Sequence, residues 1–457
     1  MVRCQRSQIK AARASRDNWK SKVKELRLER SRLVRSHPGF RSRGSDIQGH
    51  RYSQFIVKLS ILLYTLCGCS LRGVVSVLSL LCQGPVPSKS SIANWIRKCG
   101  YYVYTHLPKG LYPKGYALIL DESMVIGQER LLMALSVPAH KEGSKALALN
   151  QVRICGIQVR PSWKAVKMAS FLQEIQDRIG SKAAYVVCDG DDTIKKALEI
   201  RGLKRIWDIG HELGRLLAHS YKTAPDFEQF CKDLSGVKFK EVMKPTCYLL
   251  PPKARTIARF MNLPHSVKWA QKMLNAFPDL TEIEQKAFDF LPSYQPLIKE
   301  LVKVFKLINP LLKLIKTQGL NQQTFSQAKL WIEQAKQGSP ARLIHFIQKV
   351  ESFLAQEMEK LPDKEIAYHA SSDIIESSFG IFKYRKSPNS MHGVTPAIVL
   401  LPILTALNRQ EKKLNFDPKE ALETVKLKDI DQWAQEYLVE NQVRRRTKIL
   451  KKVNSVS

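Results

Sequence analysis

The stretch that most restricts the fold is Tyr116-Ala117-Leu118-Ile119-Leu120-Asp121-Glu122-Ser123, a short apolar run cut off by a carboxylate pair. A run of this length between Gly115 and Ser123 reads as a buried strand rather than a helix. An acid at the exposed end of such a strand is well placed to hold a metal ion. Ala183-Ala184-Tyr185-Val186-Val187-Cys188 repeats the pattern and ends in Asp189-Gly190-Asp191-Asp192.

Between and after these runs the periodicity alternates. Arg130–Val137 and Gln151–Val159 read as strands, and Lys164–Ile179 as a helix with Val166, Ala169, Leu172 and Ile175 on one face. A helix over Thr193–Ile200, a strand over Lys204–Asp208 and a helix from His211 follow. Three strands, then helix, strand, helix, strand, is similar to the order of a ribonuclease H-like α/β core, and residues 109–221 are expected to form its first part. Residues 222–365 show little strand signal. Prolines including Pro225, Pro245 and Pro310 punctuate amphipathic segments such as Leu297–Ile308 and Ala341–Glu359, which predicts an all-α insertion domain. Residues 366–410 are expected to return to the core, and 411–457 to form a charged helical tail.

Upstream, residues 1–50 are rich in Arg, Lys and Ser and read as a basic arm or a short coiled coil, with helical spacing over Trp19–Val34. Residues 51–108 predict three helices: Phe55–Leu66, Leu71–Leu81, and a third capped by Ser88 or Ser90 and stopped at Gly100. With Ser88, Lys89, Ser90, Asn94 and Arg97 on its polar side, this region is similar to a helix-turn-helix DNA reader, in which Lys89, Asn94 and Arg97 would face DNA.

Charge supports a polyanionic partner. Lys and Arg number 74 against 41 Asp and Glu, a formal charge of +33. No basic amphipathic helix with an exposed aromatic face points to a membrane instead. The apolar stretches Leu59–Leu71 and Val394–Leu407 are too short to span one. The nine cysteines include no CxxC pair and no spaced Cys/His ligand set, so buried thiols in a reducing compartment are expected. The N-terminus lacks the apolar core of a signal peptide, which predicts a soluble cytoplasmic protein.

A second sharp feature is Ser372-Asp373-Ile374-Ile375-Glu376-Ser377-Ser378-Phe379-Gly380-Ile381-Phe382-Lys383, a helix with Ile375, Phe379 and Phe382 on one face. If Asp121, Asp189 and Glu376 converge, they form a set of hard oxygen ligands suited to Mg²⁺, which needs only a few carboxylates beside substrate phosphate. Two such ions support in-line displacement at phosphorus without a nucleophilic Ser or Cys. Rival uses exist. Asp373 and Glu376 match a capping box, Glu122, Asp191 and Asp192 are alternative ligands, and Asp373, Glu365 and Glu212 are candidates should Glu376 point away.

The order Asp121, Asp189, helical insertion, Glu376 resembles a DDE transposase of a bacterial insertion sequence, of the retroviral integrase superfamily. Asp208-Ile209-Gly210-His211 is similar to the (Cys/Asp)-x-x-His motif of Mutator-like and hAT-like transposases. Glu376 and Lys383 match the E-(6)-K part of the YREK signature, whereas its Tyr and Arg positions hold His369 and Ser372. The resemblance implies Asp121, Asp189 and Glu376 as catalytic metal ligands for two Mg²⁺ ions, with Mn²⁺ able to substitute. It further implies auxiliary roles for Asp208 and His211, and DNA contacts from Lys383 and Arg385. Double-stranded DNA, as terminal inverted repeats and as target, would be the partner of a homodimer or larger assembly, in a bacterial cytoplasm near the nucleoid. Trp207, Trp163 and Trp269 are candidates to stack on an extruded base. A non-catalytic, transposase-derived DNA-binding protein and a ribonuclease H-like nuclease are the competing expectations.

Overall fold

Serine caps open the first three helices. Ser53, Ser70 and Ser88 accept from Ile56, Gly73 and Ser91 backbone N–H groups and start α1 (Gln54–Thr65), α2 (Leu71–Leu81) and α3 (Lys89–Thr105). These come from a computed structural model that describes residues 19, 21–25, 46–82, 85–108, 110–126, 129–252, 263–385, 390–440 and 442–454. Lys253, Arg255 and Arg259, basic residues of the 222–365 stretch and candidates to line a DNA path, lie outside the described residues, as does most of the basic N-terminal segment. Gly100 does not stop α3 as expected. It permits a close approach instead: a Cβ there would lie 2.0 Å from the Val399 carbonyl oxygen, so the helix runs on with the chain at 396–405 pressed against it.

The sheet has five strands: β1 (Tyr116–Ile126), β2 (Glu129–Pro138), β3 (Arg153–Arg160), β4 (Tyr185–Cys188) and β5 (Arg205–Trp207), in the order β3-β2-β1-β4-β5. β1–β2 and β2–β3 are antiparallel; β1–β4 and β4–β5 are parallel. The parallel connections are the helices α4 (Ala165–Ile179) and α5 (Asp192–Arg201), which end in left-handed Gly180 and Gly202. Both cover one face. Tyr116, Leu118 and Leu120 of β1 meet Met168, Phe171, Leu172 and Ile175 of α4 there, each fully buried apolar side chain contributing roughly 1.5–3 kcal/mol gross. Gly156 lets α4 in so close that a Cβ would sit 2.4 Å from Phe171.

The alternate residues Ala117 and Ile119 face the larger core. It is built on α6 (Ile209–Tyr221), α7 (Pro225–Glu241), α8 (Leu263–Ala276), α9 (Glu282–Ala287), α10 (Gln295–Gln318), α11 (Gln322–Lys336), α12 (Ala341–Glu359), α13 (Asp373–Arg385) and α14 (Leu400–Thr405). Residues 222–365 are thus helical among the described residues, as expected. Pro310 lies inside α10 rather than ending it, because Leu301, Val304, Phe305, Ile308, Leu311 and Ile315 bury one continuous face across it.

The stretch expected as a charged tail packs back on the body. After a short hairpin, α15 (Pro418–Thr424) and α16 (Leu427–Tyr437) bury Ala421, Leu422, Ile430 and Trp433 against α3. Only then does the basic helix α17 (Gln442–Asn454) begin. Among the described residues, no helix is long and apolar enough to cross a membrane.

Candidate active site

Three parallel strands bring their acids to one edge. In the β1–β4 register Ile119 faces Val187, and in the β4–β5 register Cys188 faces Trp207. Continuing those registers sets Asp189 level with Asp121 and Asp208 level with Asp189. By strand alternation all three share the face of Ala117, Ile119, Val187 and Ile206. β1 does not end at Asp121 as the sequence suggests. It continues to Ile126 along β2, while β4 stops, so Asp121 is held on one side and open on the other.

Asp121 is 9% exposed. Burial raises its carboxyl from the usual aspartate range to about 7, Asp189 and Glu376 add to the rise, and His211 opposes it. Asp189, Glu376 and His211 are thus near enough to bear on its charge. Glu122 points to the other face, where its carboxylate accepts from Arg130 at 3.0 Å. The alternation read from the sequence therefore separates the pair as expected.

Glu376 comes from α13, which packs on β1. Its Oε1 lies 3.1 Å from Nε2 of His211. That hydrogen bond is the main reason the imidazole is raised to about 9, assisted by Asp208 and Asp121. His211 itself sits in the first turn of α6, because Asp208 caps that helix: its Oδ1 accepts from the His211 backbone N–H at 2.6 Å. The other oxygen of Asp208 accepts from the Ser372 backbone N–H, one residue before α13. One fully buried carboxylate thus ties together the starts of the helices that carry His211 and Glu376. Nothing in the sequence announced this bridge, since its second end is a main-chain group.

The rival acids have other work. Asp373 pairs with Lys316 and is the first residue of α13, so no capping box with Glu376 forms. Asp191 caps α5 through Thr193 and Ile194. Glu212 is buried against Arg215, and Glu365 is exposed. Asp192 lies exposed in the first turn of α5. Among the described residues, no group of three or more His, Cys, Asp or Glu side chains is drawn together closely enough to hold an ion unaided.

The expected DNA contacts fall in two places. Lys383 is exposed on α13, with its ammonium 6.0 Å from the Phe379 ring centre. Arg385 instead reaches α1, donating to the Tyr64 carbonyl at 2.8 Å and lying over the Tyr64 ring. Tyr384, between them, is 90% exposed and was not singled out from the sequence. In α3, Lys89 is exposed, whereas Asn94 and Arg97 are half-buried and bonded to each other. Most of that helix is covered by residues 396–405, α15 and α16, leaving its first turn outward. His369, at the signature's Tyr position, is buried and held down to about 4 by that burial.

Two of the three tryptophans are packing residues. Trp163 donates to the Arg130 carbonyl and Trp269 to the Leu249 carbonyl. Trp207 is half-buried beside Asp208, under the Arg205 guanidinium and against Phe353. Gly190 makes room for it, since a Cβ there would lie 2.3 Å from the indole ring. Gly190→Ala should therefore cost about 1–3 kcal/mol by overpacking, read as a lower urea midpoint.

Compared with protein-family models and with curated proteins, the chain matches none.

Proposed function

We propose that this chain is a DDE transposase with a ribonuclease H-like core, which cuts DNA at the ends of a mobile element and joins the freed ends to target DNA. The observation that carries the reading is the shared level: continuing the register of the parallel strands β1 and β4 sets Asp121 beside Asp189, and Glu376, on the helix α13 that packs on β1, bears on the charge of Asp121. The strand order, an antiparallel β3-β2-β1 followed by parallel β4 and β5, agrees with such a core.

The donor set suits Mg²⁺. It consists of hard oxygens, and the burial that lifts Asp121 to about 7, with the smaller repulsion from Asp189 and Glu376, is what a divalent cation would offset. Full enclosure by protein is not required, because Mg²⁺ keeps waters and takes one or two carboxylates plus substrate phosphate. Asp121, Asp189 and Glu376 are the residues that would hold the metal. Ions bound there supply activation of the attacking oxygen and stabilisation of the leaving one. His211, charged at neutral pH by its bond to Glu376, adds a positive group where phosphate oxygens must come. Lys383 extends that positive edge along α13, and the exposed first turn of α3 offers Lys89 to the duplex.

The test uses the full chain and linear DNA carrying the sequences that flank its coding region. With Mg²⁺, nicks leaving a 3′-OH at a fixed position are expected, and a chelator should abolish them. End-specific binding without any nicking would favour the non-catalytic DNA-binding protein. Cleavage that survives the chelator would overturn the metal-dependent reading.

A further inference from the structure

The terminal helix α17 breaks two rules that solvated helices keep. Six of its thirteen residues are Lys or Arg, and none is Asp or Glu. A charged helix that stays in water interleaves the two signs at four-residue spacing, whereas here Arg444 and Lys448 repeat one sign across a turn. Arg444 and Arg445 also fall in the first turn, where the helix macrodipole is positive and favours acids. Glu440, just before the helix, pairs with Lys448 and offsets one of the six. Arg444, Arg445 and Arg446 are exposed. A polyanion is the partner that turns each of these penalties into a gain.

The helix stands where such a partner would pass. It packs against residues Ser390–His392. Two residues on, the Val394 backbone N–H donates to the Glu129 carboxylate at 3.3 Å. Glu129 opens β2 opposite Ile126, the last residue of β1, so this segment is fixed at the end of the sheet that lies beyond Asp121. On its other side α17 meets α3. Arg444 and Lys448 share a cavity with Ala93 and Arg97, which follow Lys89 at four-residue intervals on one face of α3; Asp431 and Glu440 are the acids on that cavity. The exposed first turn of α3 and the cations of α17 thus make one basic border.

We propose that α17 is a duplex-holding helix, whose arginines lie along the phosphates of DNA led to the carboxylate edge, a contact with the backbone made without regard to sequence. That the polyanion is DNA rests on the function proposed above. A lipid surface fits less well. Ile449 and Leu450 are 54% and 50% exposed, yet Arg446, three and four residues before them, shares their face. No continuous apolar side is left to sink into a bilayer. The same helix supplies what α3 cannot, because residues 396–405, α15 and α16 cover most of α3.

The test titrates the full chain into a labelled duplex carrying the flanking sequence, by fluorescence anisotropy, over a range of salt. Arg444→Gln, Arg445→Gln and Arg446→Gln together should lower the slope of log Kd against log salt by about 2–3. At physiological salt they should weaken binding about ten-fold or more, alike on flanking and unrelated duplexes. The control removes three charges at the opposite edge, Lys114→Gln, Lys182→Gln and Lys204→Gln, which precede β1, β4 and β5. It should leave the slope within about 0.5. Thermal melts report folding, and Arg445→Gln with Arg446→Gln serves if the triple variant melts low, with a slope lower by about 2. Absence of duplex binding, an unmoved slope, or an equal change in both triple variants overturns the proposal. So does loss of binding to anionic vesicles or duplex RNA while DNA binding stays. Nicking is scored separately: a chain that never nicks yet shows the slope change defeats only the transposase reading, and one that nicks with an unmoved slope defeats only this inference.

Discussion

Asp121→Asn should lower Mg²⁺-dependent strand cleavage by about 10³-fold or more, ~4 kcal/mol of barrier, while the protein becomes more stable. Both halves come from the same burial. Asp121 is the acid on which the influences of Asp189, Glu376 and His211 bear, so under the proposed function removing its charge would take away a metal ligand. Its carboxyl is raised in the folded chain from 3.8 to about 7. Below pH 3.8 both folded and unfolded chains hold the proton, and the residue costs nothing. Between 3.8 and 7 the unfolded chain releases it first, so stability falls as pH rises; above 7 the penalty is complete, at most ~4 kcal/mol. Asparagine has nearly the same shape and no charge to desolvate. The metal-free variant should therefore melt higher than the parent at pH 8 and alike at pH 3.5, in a metal-free thermal scan. DNA binding should persist. A purified variant that still cleaves, or one that melts lower at pH 8, would falsify the assigned role.

Much of this arrangement was legible because short apolar runs ending in acids have few alternatives. The five strands, α4, α5 and the helical character of residues 222–365 follow from periodicity and punctuation alone. Strand alternation also placed Asp121 and Glu122 on opposite faces, which the Glu122–Arg130 pair bears out. What escaped depends on partners distant in sequence. Gly100 reads as a stop until Val399 is seen against it, and Pro310 reads as a break until the buried face of α10 is seen to hold across it. Asp373 and Glu376 matched a capping motif equally well; in the fold Asp373 is the first residue of α13 and pairs with Lys316, 57 residues earlier, while Glu376 meets His211. The C-terminal residues read as a charged helical tail, and helices they are; the packing escaped because their charges outnumber the few side chains, Leu422, Ile430 and Trp433, that fasten them to α3. Arg385 shows the same limit. Its positive charge suggested DNA, and its position gives it Tyr64.

Asp208→Ala should unmake the site from beneath, without removing any of the three acids. Two backbone N–H groups, of part-buried His211 and buried Ser372, would lose their acceptor. Each such loss costs ~1–3 kcal/mol. Relief of a buried charge offsets part of it, so a net loss of roughly 2–4 kcal/mol is expected, read from urea unfolding. Asp208→Asn should fall between, because one of its two side-chain heads is a donor facing a donor. The discriminating measurement is the titration of His211 by NMR. Its value of about 9 depends first on the bond to Glu376, and that bond depends on α6 and α13 starting side by side. Loss of the Asp208 charge alone lowers the imidazole in part. If Asp208 also sets the helix positions, the bond to Glu376 goes with it and the imidazole of either variant should fall all the way to 6.5 or below, so that the stabilisation the ion pair lends ends at lower pH. That contribution is whole below pH 6.5 and is lost, in the parent, as pH climbs through 9. A destabilised variant whose His211 still titrates near 9 would mean that the two helices hold their places without Asp208, and that its carboxylate serves folding alone.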